Sequence, residues 1–217
     1  MTSSDIVIRS AKAADSRFLA WVMIEADRGH LRRAMFDVVL PTTEEERIAY
    51  LAAMSTAEMA SFCHHSGFLI AEQAGQPVAA LSGYQPKIKT PRHFVKASYE
   101  VLTKAGWSAE RIEQMLGRFA PFLTCVFDYP EDAWVVEWVA TRPEGRGQGI
   151  STRLIERVLE RGRALHLATA YISVRIGNHS AQRVYERAGF VPFDERCHPD
   201  HEAAIGCPGL VHLKRPL

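Results

Sequence analysis

A glycine-rich turn that carries an arginine has the most readily interpreted chemistry in this sequence. Residues 145–149 alternate three glycines with Arg146 and Gln148, between an apolar run and an amphipathic segment. The apolar run 134–140 predicts a buried strand, and the amphipathic segment predicts a helix. Glycines let a ligand approach the backbone, and the first N–H groups of a helix attract anions. We therefore expect a phosphorylated cofactor to bind at residues 146–152.

The two common nucleotide-binding loops do not fit this turn. A Walker loop needs Lys and then Ser or Thr after its last glycine, whereas Gly149 is followed by Ile150. A Rossmann fingerprint spaces its glycines differently, lies near the start of a βαβ unit, and has an acidic residue about 20 positions further on. Both nucleotide interpretations are therefore disfavoured.

Two blocks of sequence, in this order, resemble the cofactor motifs of the GNAT superfamily of acyl-CoA-dependent N-acyltransferases. The segment 146–151 resembles the Gln/Arg-x-x-Gly-x-Gly/Ala signature, from which it departs only at its last position, Ser151. Further on, Asn178 follows a predicted strand, Tyr185 stands seven residues later, and Gly-Phe closes the block at 189–190. The resemblance is good over residues 133–192 and loose over the first third of the chain.

The resemblance implies a fold, a cofactor and a reaction. The expected fold is α/β in layers (α+β), with a mixed, mostly antiparallel central sheet flanked by helices. The expected reaction moves an acetyl group from acetyl-CoA to a primary amine, taken to be that of a small molecule, by direct attack in a ternary complex. The implied cofactor contacts are Val139, Ala140, Thr141, Arg146, Gly147, Gln148, Gly149, Ile150, Ser151, Thr152, Asn178 and Arg183.

Three of these contacts have particular interpretations. The backbone at 139–141 is expected to pair with the pantetheine arm as an added strand does. Asn178 could instead form an ordinary Asx turn, and Arg183 could be an exposed helical arginine. Because serine is small and keeps its N–H, Ser151 should alter packing near the pyrophosphate without abolishing the site.

Glu137 and Tyr185 are the candidate catalytic residues. Glu137 lies inside the apolar run, and burying a carboxylate there without compensation is costly. The resemblance implies a general base or a water-orienting group at this position; the alternative is a structural partner in a polar cleft. Tyr185 corresponds to a tyrosine that protonates the departing thiolate, and otherwise it is core. Direct attack makes a nucleophile such as Cys125 unnecessary.

Four residues are candidates for contacts with the acceptor. Arg32, Arg33 and Tyr84 are possible contacts, and His30 could be either a base or a solvated loop residue. Two other classes of function stay open: a non-catalytic acyl-CoA-binding domain, and an enzyme acting on protein N-termini or lysines. Retention of both Glu137 and Tyr185 favours the enzyme. The acceptor cannot be derived from fold and cofactor.

Composition narrows the remaining possibilities. The chain has 217 residues, which suits one domain over 1–217, and 26 basic against 25 acidic side chains. This balance does not favour a nucleic-acid or membrane partner, whereas a homodimer stays open. The polar start at 1–5 lacks a signal-peptide pattern, so a cytoplasmic location is expected. The four cysteines are expected to be free and mostly buried, with 197–201 in a polar surface loop and no metal site.

The coarse element pattern alternates strands and helices. Strands are predicted at 5–10, 68–73, 77–84, 134–140 and 170–176, with a final hairpin of 190–197 and 209–217. Apolar spacing predicts a helix through Phe18 and Met23, and a capping box at 43–46 predicts another. Residues 85–132 are predicted to form a helical insertion between strands three and four, with helices at 94–104 and 108–119. That insertion could be a substrate lid, a dimer surface or additional core.

Overall fold

A mixed sheet organises residues 6–217, the part of the chain that the computed structural model describes. Its strands are β1 (Ile6–Ser10), β2 (Phe68–Gln73), β3 (Gln76–Tyr84), β4 (Trp134–Thr141), β5 (Thr169–Arg175), β6 (Val191–Cys197) and β7 (Gly209–Pro216). The order is β1-β2-β3-β4-β5-β7-β6. Only β4 and β5 pair in parallel; all other neighbours are antiparallel. The predicted mixed, mostly antiparallel sheet is confirmed, although Asp5 lies outside the described residues.

Helices cover both faces of the sheet. They are α1 (Ser16–Arg28), α2 (Met35–Val39), α3 (Glu44–Met54), α4 (Pro91–Lys104), α5 (Ala109–Gly117), α6 (Ala120–Leu123), α7 (Ile150–Ala164), α8 (His179–Arg187) and α9 (Pro199–Ile205). On one face, α7 and α8 bury their apolar residues against β2 to β5 and β7. On the other face, α1 to α5 form a second core with β2 and β3.

Local sequence signals explain several element boundaries. The Thr43 hydroxyl accepts the Glu46 N–H while the Glu46 carboxylate accepts the Thr43 N–H, so the predicted capping box is confirmed. The Ser108 hydroxyl accepts the Arg111 N–H and so caps α5 without a reciprocal bond. Residues 74 and 75 form the two-residue hairpin turn between β2 and β3. Their φ values, 51° and 75°, are the left-handed values that such a turn requires.

The helical segment between β3 and β4 is an integral part of the core. Phe94, Ala97, Val101, Ile112 and Met115 are all buried in the cluster that α1 and α3 share. Helices α4 and α5 therefore contribute to the core, which is one of the three alternatives given for this segment. Whether the segment also forms a substrate lid or a dimer surface stays a prediction.

The prediction of a polar surface loop at 197–201 is wrong. Pro199 begins the short helix α9, His198 caps it, and His201 is almost completely buried. The reason is that the His201 ring lies edge-on to Phe122 of α6, which gives the imidazole an apolar neighbour. The free cysteines follow expectation, since Cys197 is exposed and the other three are buried. Among the described helices, none is long and apolar enough to cross a membrane.

An extra residue in β4 sets the geometry of the centre of the sheet. Ala80 pairs with Ala140 and Ser82 with Glu137, so two steps along β3 oppose three along β4. Trp138, within this bulge, has a φ of 56°, which is uncommon for a bulky residue. Strand β4 also separates from β5 at this point, and the two strands pair only at residues 134–136 of β4.

The tight approach of β3 to α7 gives a test of the packing. A Cβ at Gly83 would lie 2.5 Å from both Trp134 Cζ2 and Val158 Cγ2. Gly83→Ala should therefore destabilise the protein by about 1–3 kcal/mol through overpacking. The control is Gly117→Ala at the end of α5, where a Cβ meets nothing within 4 Å; it should be neutral or stabilise by up to about 1 kcal/mol. Urea unfolding measures both, and equal midpoints would contradict this packing.

Candidate active site

A cleft of about 770 Å³ opens where β4 and β5 separate. The C-terminal half of β4, the turn before α7, and one face of α8 form its walls. The predicted cofactor residues that line it are Val139, Ala140, Thr141, Arg146, Gly147, Gly149, Ile150, Ser151, Thr152, Asn178 and Arg183. Because β5 pairs with β4 only up to Val136, the edge of β4 at 139–141 borders this cleft instead of another strand.

The turn before α7 presents backbone donors to the cleft. Gly147 and Gly149 have φ values of 76° and 72°, and a Cβ on either would meet nothing within 4 Å. The N–H groups of 147–152 make no hydrogen bond to a described residue, and Arg153 N–H is the first to bond within the helix. No side chain caps α7 and no acidic residue lies in its first turn. This arrangement suits an anion such as a diphosphate.

Three arginines add positive charge around the same cleft. Arg146, Arg183 and Arg187 all line it, and none forms an ion pair with a described carboxylate. The Arg146 Nε donates to Thr141 O at 3.1 Å, which holds that side chain beside the turn. Arg187 was not predicted, although its position one helical turn after Arg183 was a usable signal.

Ser151 and Gln148 have local partners. The Ser151 hydroxyl lies 2.9 Å from the Thr141 hydroxyl, so the residue that departs from the family signature connects α7 to the end of β4. Gln148 does not line the cleft. Its amide nitrogen donates to Glu144 O at 2.8 Å, and its oxygen accepts from Gln73. A cofactor contact by Gln148 stays a prediction.

A smaller cleft, of about 210 Å³, lies on the other side of the opening and shares part of its lining with the first. The residues common to both are Ala26, Val139, Asn178 and Tyr185. Glu137 lines only the smaller cleft. The two clefts therefore meet beside Tyr185, with Glu137 on the side away from the glycine turn.

The Glu137 carboxyl group is enclosed and has no cationic partner among the described residues. The Tyr84 hydroxyl donates to Oε1 at 3.0 Å, while Oε2 is buried without a hydrogen-bond partner. Burial raises the pKa of Glu137 to about 7, and the hydrogen bond from Tyr84 opposes this shift. A carboxyl group with this pKa exchanges a proton readily at neutral pH.

Tyr185 is a buried tyrosine whose hydroxyl group makes no hydrogen bond to a described residue. Burial raises its pKa above the ordinary value, so the phenol is protonated at neutral pH. It lies on α8, whose N-cap is Asn178; the Asn178 Oδ1 accepts the Ala181 N–H at 3.2 Å. Asn178 therefore caps α8 instead of forming the Asx turn given as its alternative, and it also lines both clefts.

The other residues proposed to contact the acceptor lie in different parts of the structure. His30 lines the larger cleft, and its pKa is lowered by burial and by the charge of Arg175. Arg32 and Arg33 line neither cleft. Tyr84 also lines neither cleft, but its hydroxyl group donates a hydrogen bond to Glu137.

A buried ion pair below the smaller cleft was not predicted. Asp27 Oδ1 accepts from Arg175 Nη2, and both side chains line that cleft. A signal did exist, because Asp27 stands four residues after Met23 on the apolar face of α1. Among residues 6–217, no cluster of three or more His, Cys, Asp or Glu is arranged to hold a metal ion.

The chain belongs to the GNAT family of acetyltransferases, whose sequence model matches residues 31–190. The cofactor of this family is acetyl-CoA. No curated protein matches the chain significantly.

Solved structures share the fold at low sequence identity. An N-acetyltransferase from Staphylococcus aureus Mu50 is 18% identical, with 96% of this chain and 100% of that one covered and a TM-score of 0.68. The protein yncA from Salmonella typhimurium, solved with acetyl-CoA, is 15% identical over 99% and 95%, with a TM-score of 0.59. The polyamine N-acetyltransferase of Drosophila melanogaster is 16% identical over 98% and 100%, with a TM-score of 0.57.

The glycine turn gives a test of cofactor binding with a matched control. Gly149 and Gly75 have similar φ values, 72° and 75°, and open space at Cβ, but only Gly149 lines the cleft. Valine strains both positions alike. Gly149→Val should lower the affinity for CoA by about tenfold or more, since it obstructs the N–H groups that bind phosphate. Gly75→Val should leave that affinity unchanged. Calorimetry on folded protein measures both; equal CoA affinities would place the site elsewhere.

Proposed function

We propose that this protein transfers the acetyl group of acetyl-CoA to a primary amine of a small molecule, by direct attack in a ternary complex. The observation that carries the proposal is the junction of the two clefts beside Tyr185, with Glu137 in the smaller one. A cofactor in the larger cleft and an acceptor in the smaller one would meet there.

The larger cleft has the features that CoA requires. The N–H groups of 147–152, together with Arg146, Arg183 and Arg187, would hold the diphosphate. The free edge of β4 at 139–141 would pair with the amide groups of the pantetheine arm. When bound, acetyl-CoA supplies an activated acetyl thioester.

Glu137 is the base in this proposal. An amine attacks only when its nitrogen carries a lone pair, so the proton of the acceptor ammonium must be removed. The unpartnered Oε2 of Glu137 needs a donor, and an acceptor N–H or an intervening water would provide one. The hydrogen bond from Tyr84 holds the other oxygen in place.

Tyr185 is the acid. As the new C–N bond forms and the C–S bond breaks, the Tyr185 hydroxyl donates its proton to the departing sulfur. Starting from the ammonium form, the nitrogen loses two protons. Glu137 takes the first and releases it to solvent, and the second, lost as the amide forms, restores the Tyr185 phenol, so that overall one proton moves from nitrogen to sulfur and one is released. The raised pKa of Tyr185 keeps its proton available until the sulfur takes it.

The size of the smaller cleft favours a small acceptor over a protein. Its volume of about 210 Å³ is below that of typical drug-sized pockets. The Drosophila polyamine N-acetyltransferase illustrates one class of small acceptor. A non-catalytic CoA-binding role would require neither Glu137 nor Tyr185. The single domain over 1–217, the cytoplasmic location and the homodimer stay predictions.

Acetyl transfer itself is the direct test. Purified protein, acetyl-CoA and a library of primary amines are incubated together, and mass spectrometry follows the acetylated products. A peptide with a free N-terminus and internal lysines is included. Acetylation of the peptide alone would favour a protein acceptor, whereas CoA binding without any product would favour a regulatory domain.

The pH dependence of catalysis tests Glu137. Because the ionised carboxylate is the active form, kcat/KM should rise with pH through about 7. Glu137→Gln should lose this rise, keep its CoA affinity and fall in rate by about 10²–10⁴. Tyr84→Phe removes the hydrogen bond that stabilises the carboxylate, so it should move the rise to higher pH. A variant Glu137→Gln with the parent's pH profile would leave Glu137 a structural role.

The leaving group tests Tyr185. Tyr185→Phe keeps the ring and removes the proton donor, so turnover should fall by about 10²–10⁴ while CoA affinity stays the same. A thioester with a more acidic thiol should restore part of the rate. The control is Tyr50→Phe, which removes a buried hydroxyl that bonds Ser98 and lines neither cleft; it should affect stability only. Equal turnover of Tyr185→Phe and parent, with chemistry rate-limiting, would contradict the acid role.

A further inference from the structure

The smaller cleft, the acceptor cleft of the proposed function, has mainly apolar walls. Helix α6 and the residues after it form one side, and the bulge of β4 forms another. The apolar side chains that line it include Met35, Phe122, Leu123, Val126, Trp138 and Leu210. Leu123 and Val126 are exposed, by 64% and 45%, where the cleft meets solvent.

Among residues 6–217, two carboxylates line this cleft, and both oxygens of one of them already accept hydrogen bonds. Asp27 is 5% exposed; its Oδ1 accepts from Arg175, and its Oδ2 accepts the Phe36 N–H at 2.8 Å. Arg175 Nε also donates to the backbone oxygen of Asp27 at 2.9 Å. A cation that used Asp27 would have to break this pair and leave the Arg175 guanidinium without its counter-charge.

The histidine in the same cleft adds no charge at neutral pH. His201 Nδ1 donates to Cys207 O at 2.8 Å, so its Nε2 is the acceptor that faces Arg175 Nη1 at 3.4 Å. Burial lowers the pKa of His201, and the imidazole is neutral at neutral pH. Glu137 is therefore the one carboxylate of the cleft that is free to serve an acceptor amine.

From these contacts we infer that the acceptor is a monoamine with an apolar body, and that diamines, polyamines and guanidino-amines are disfavoured. This inference rests on the proposed function, whose acceptor site it describes. The amine nitrogen is placed at Glu137 and the hydrocarbon part lies against Trp138, Phe122 and Met35. A second ammonium group in the same cleft would lose its hydration and gain no carboxylate, which is costly.

Two amines of equal shape test this selectivity. Pentylamine and putrescine have the same length, and they differ in a terminal methyl against a terminal ammonium group. The kcat/KM for pentylamine should exceed that for putrescine by about tenfold or more. Equal values, or a preference for putrescine, would overturn the inference and leave the proposed function intact. No transfer to any amine or peptide, despite CoA binding, would overturn the proposed function itself.

A charge introduced at the mouth of the cleft should reverse part of this preference. Leu123→Glu supplies a carboxylate, so the ratio of kcat/KM for putrescine over pentylamine should rise by about tenfold. Leu123→Gln introduces a side chain of the same shape as glutamate but without its charge, and it should keep the parent's ratio. Leu165→Glu adds a carboxylate at a 52% exposed position outside both clefts, and it should also keep that ratio. A ratio that Leu123→Glu leaves unchanged, or that Leu123→Gln changes equally, would contradict a selectivity based on charge.

Discussion

The extra residue in β4 is the constraint on which the rest of this molecule depends. It shifts the register with β3 between Ala140 and Glu137 and holds Trp138 at a positive φ. Beyond this point β4 and β5 no longer pair, and a parallel pair that separates inside a sheet leaves backbone groups of both strands without partners. Those groups remain available to water or to a ligand, so the separation of the strands gives the free edge of β4 that the proposed function assigns to an amide-rich cofactor.

The same bulge determines the environment of Glu137. The residue precedes Trp138, in a strand whose neighbouring residues Val135 and Val136 are completely buried. Its carboxyl group therefore enters a space enclosed by apolar and aromatic side chains, with the Tyr84 hydroxyl as its hydrogen-bond donor. Removal from water without a cation raises the pKa into the range where a carboxyl group can act as a base at neutral pH.

The sequence predicts the elements of this fold well because their signals are local. Capping at Thr43 and Ser108, the hairpin turn before Gln76, and the apolar face of α7 each depend on a few adjacent residues. The bulge at Trp138 was not predictable, because an extra residue is defined only against the partner strand. The buried position of His201 and the pairing of Asp27 with Arg175 depend on contacts between residues far apart in the chain. The candidate site was therefore predictable where motifs carry it and not where tertiary contacts do.

Charged side chains are distributed differently around the two clefts. Around the larger cleft Arg146, Arg183 and Arg187 form no ion pair with a carboxylate of residues 6–217, so this side of the opening suits an anion. In the smaller cleft Arg175 and Asp27 neutralise each other within a closed set of hydrogen bonds. The Glu137 carboxylate is the one charge in that cleft without an opposite charge from a described residue beside it. In the proposed function, an amine that enters against these apolar walls would be directed, nitrogen first, to Glu137, at the end of the cleft that adjoins Tyr185.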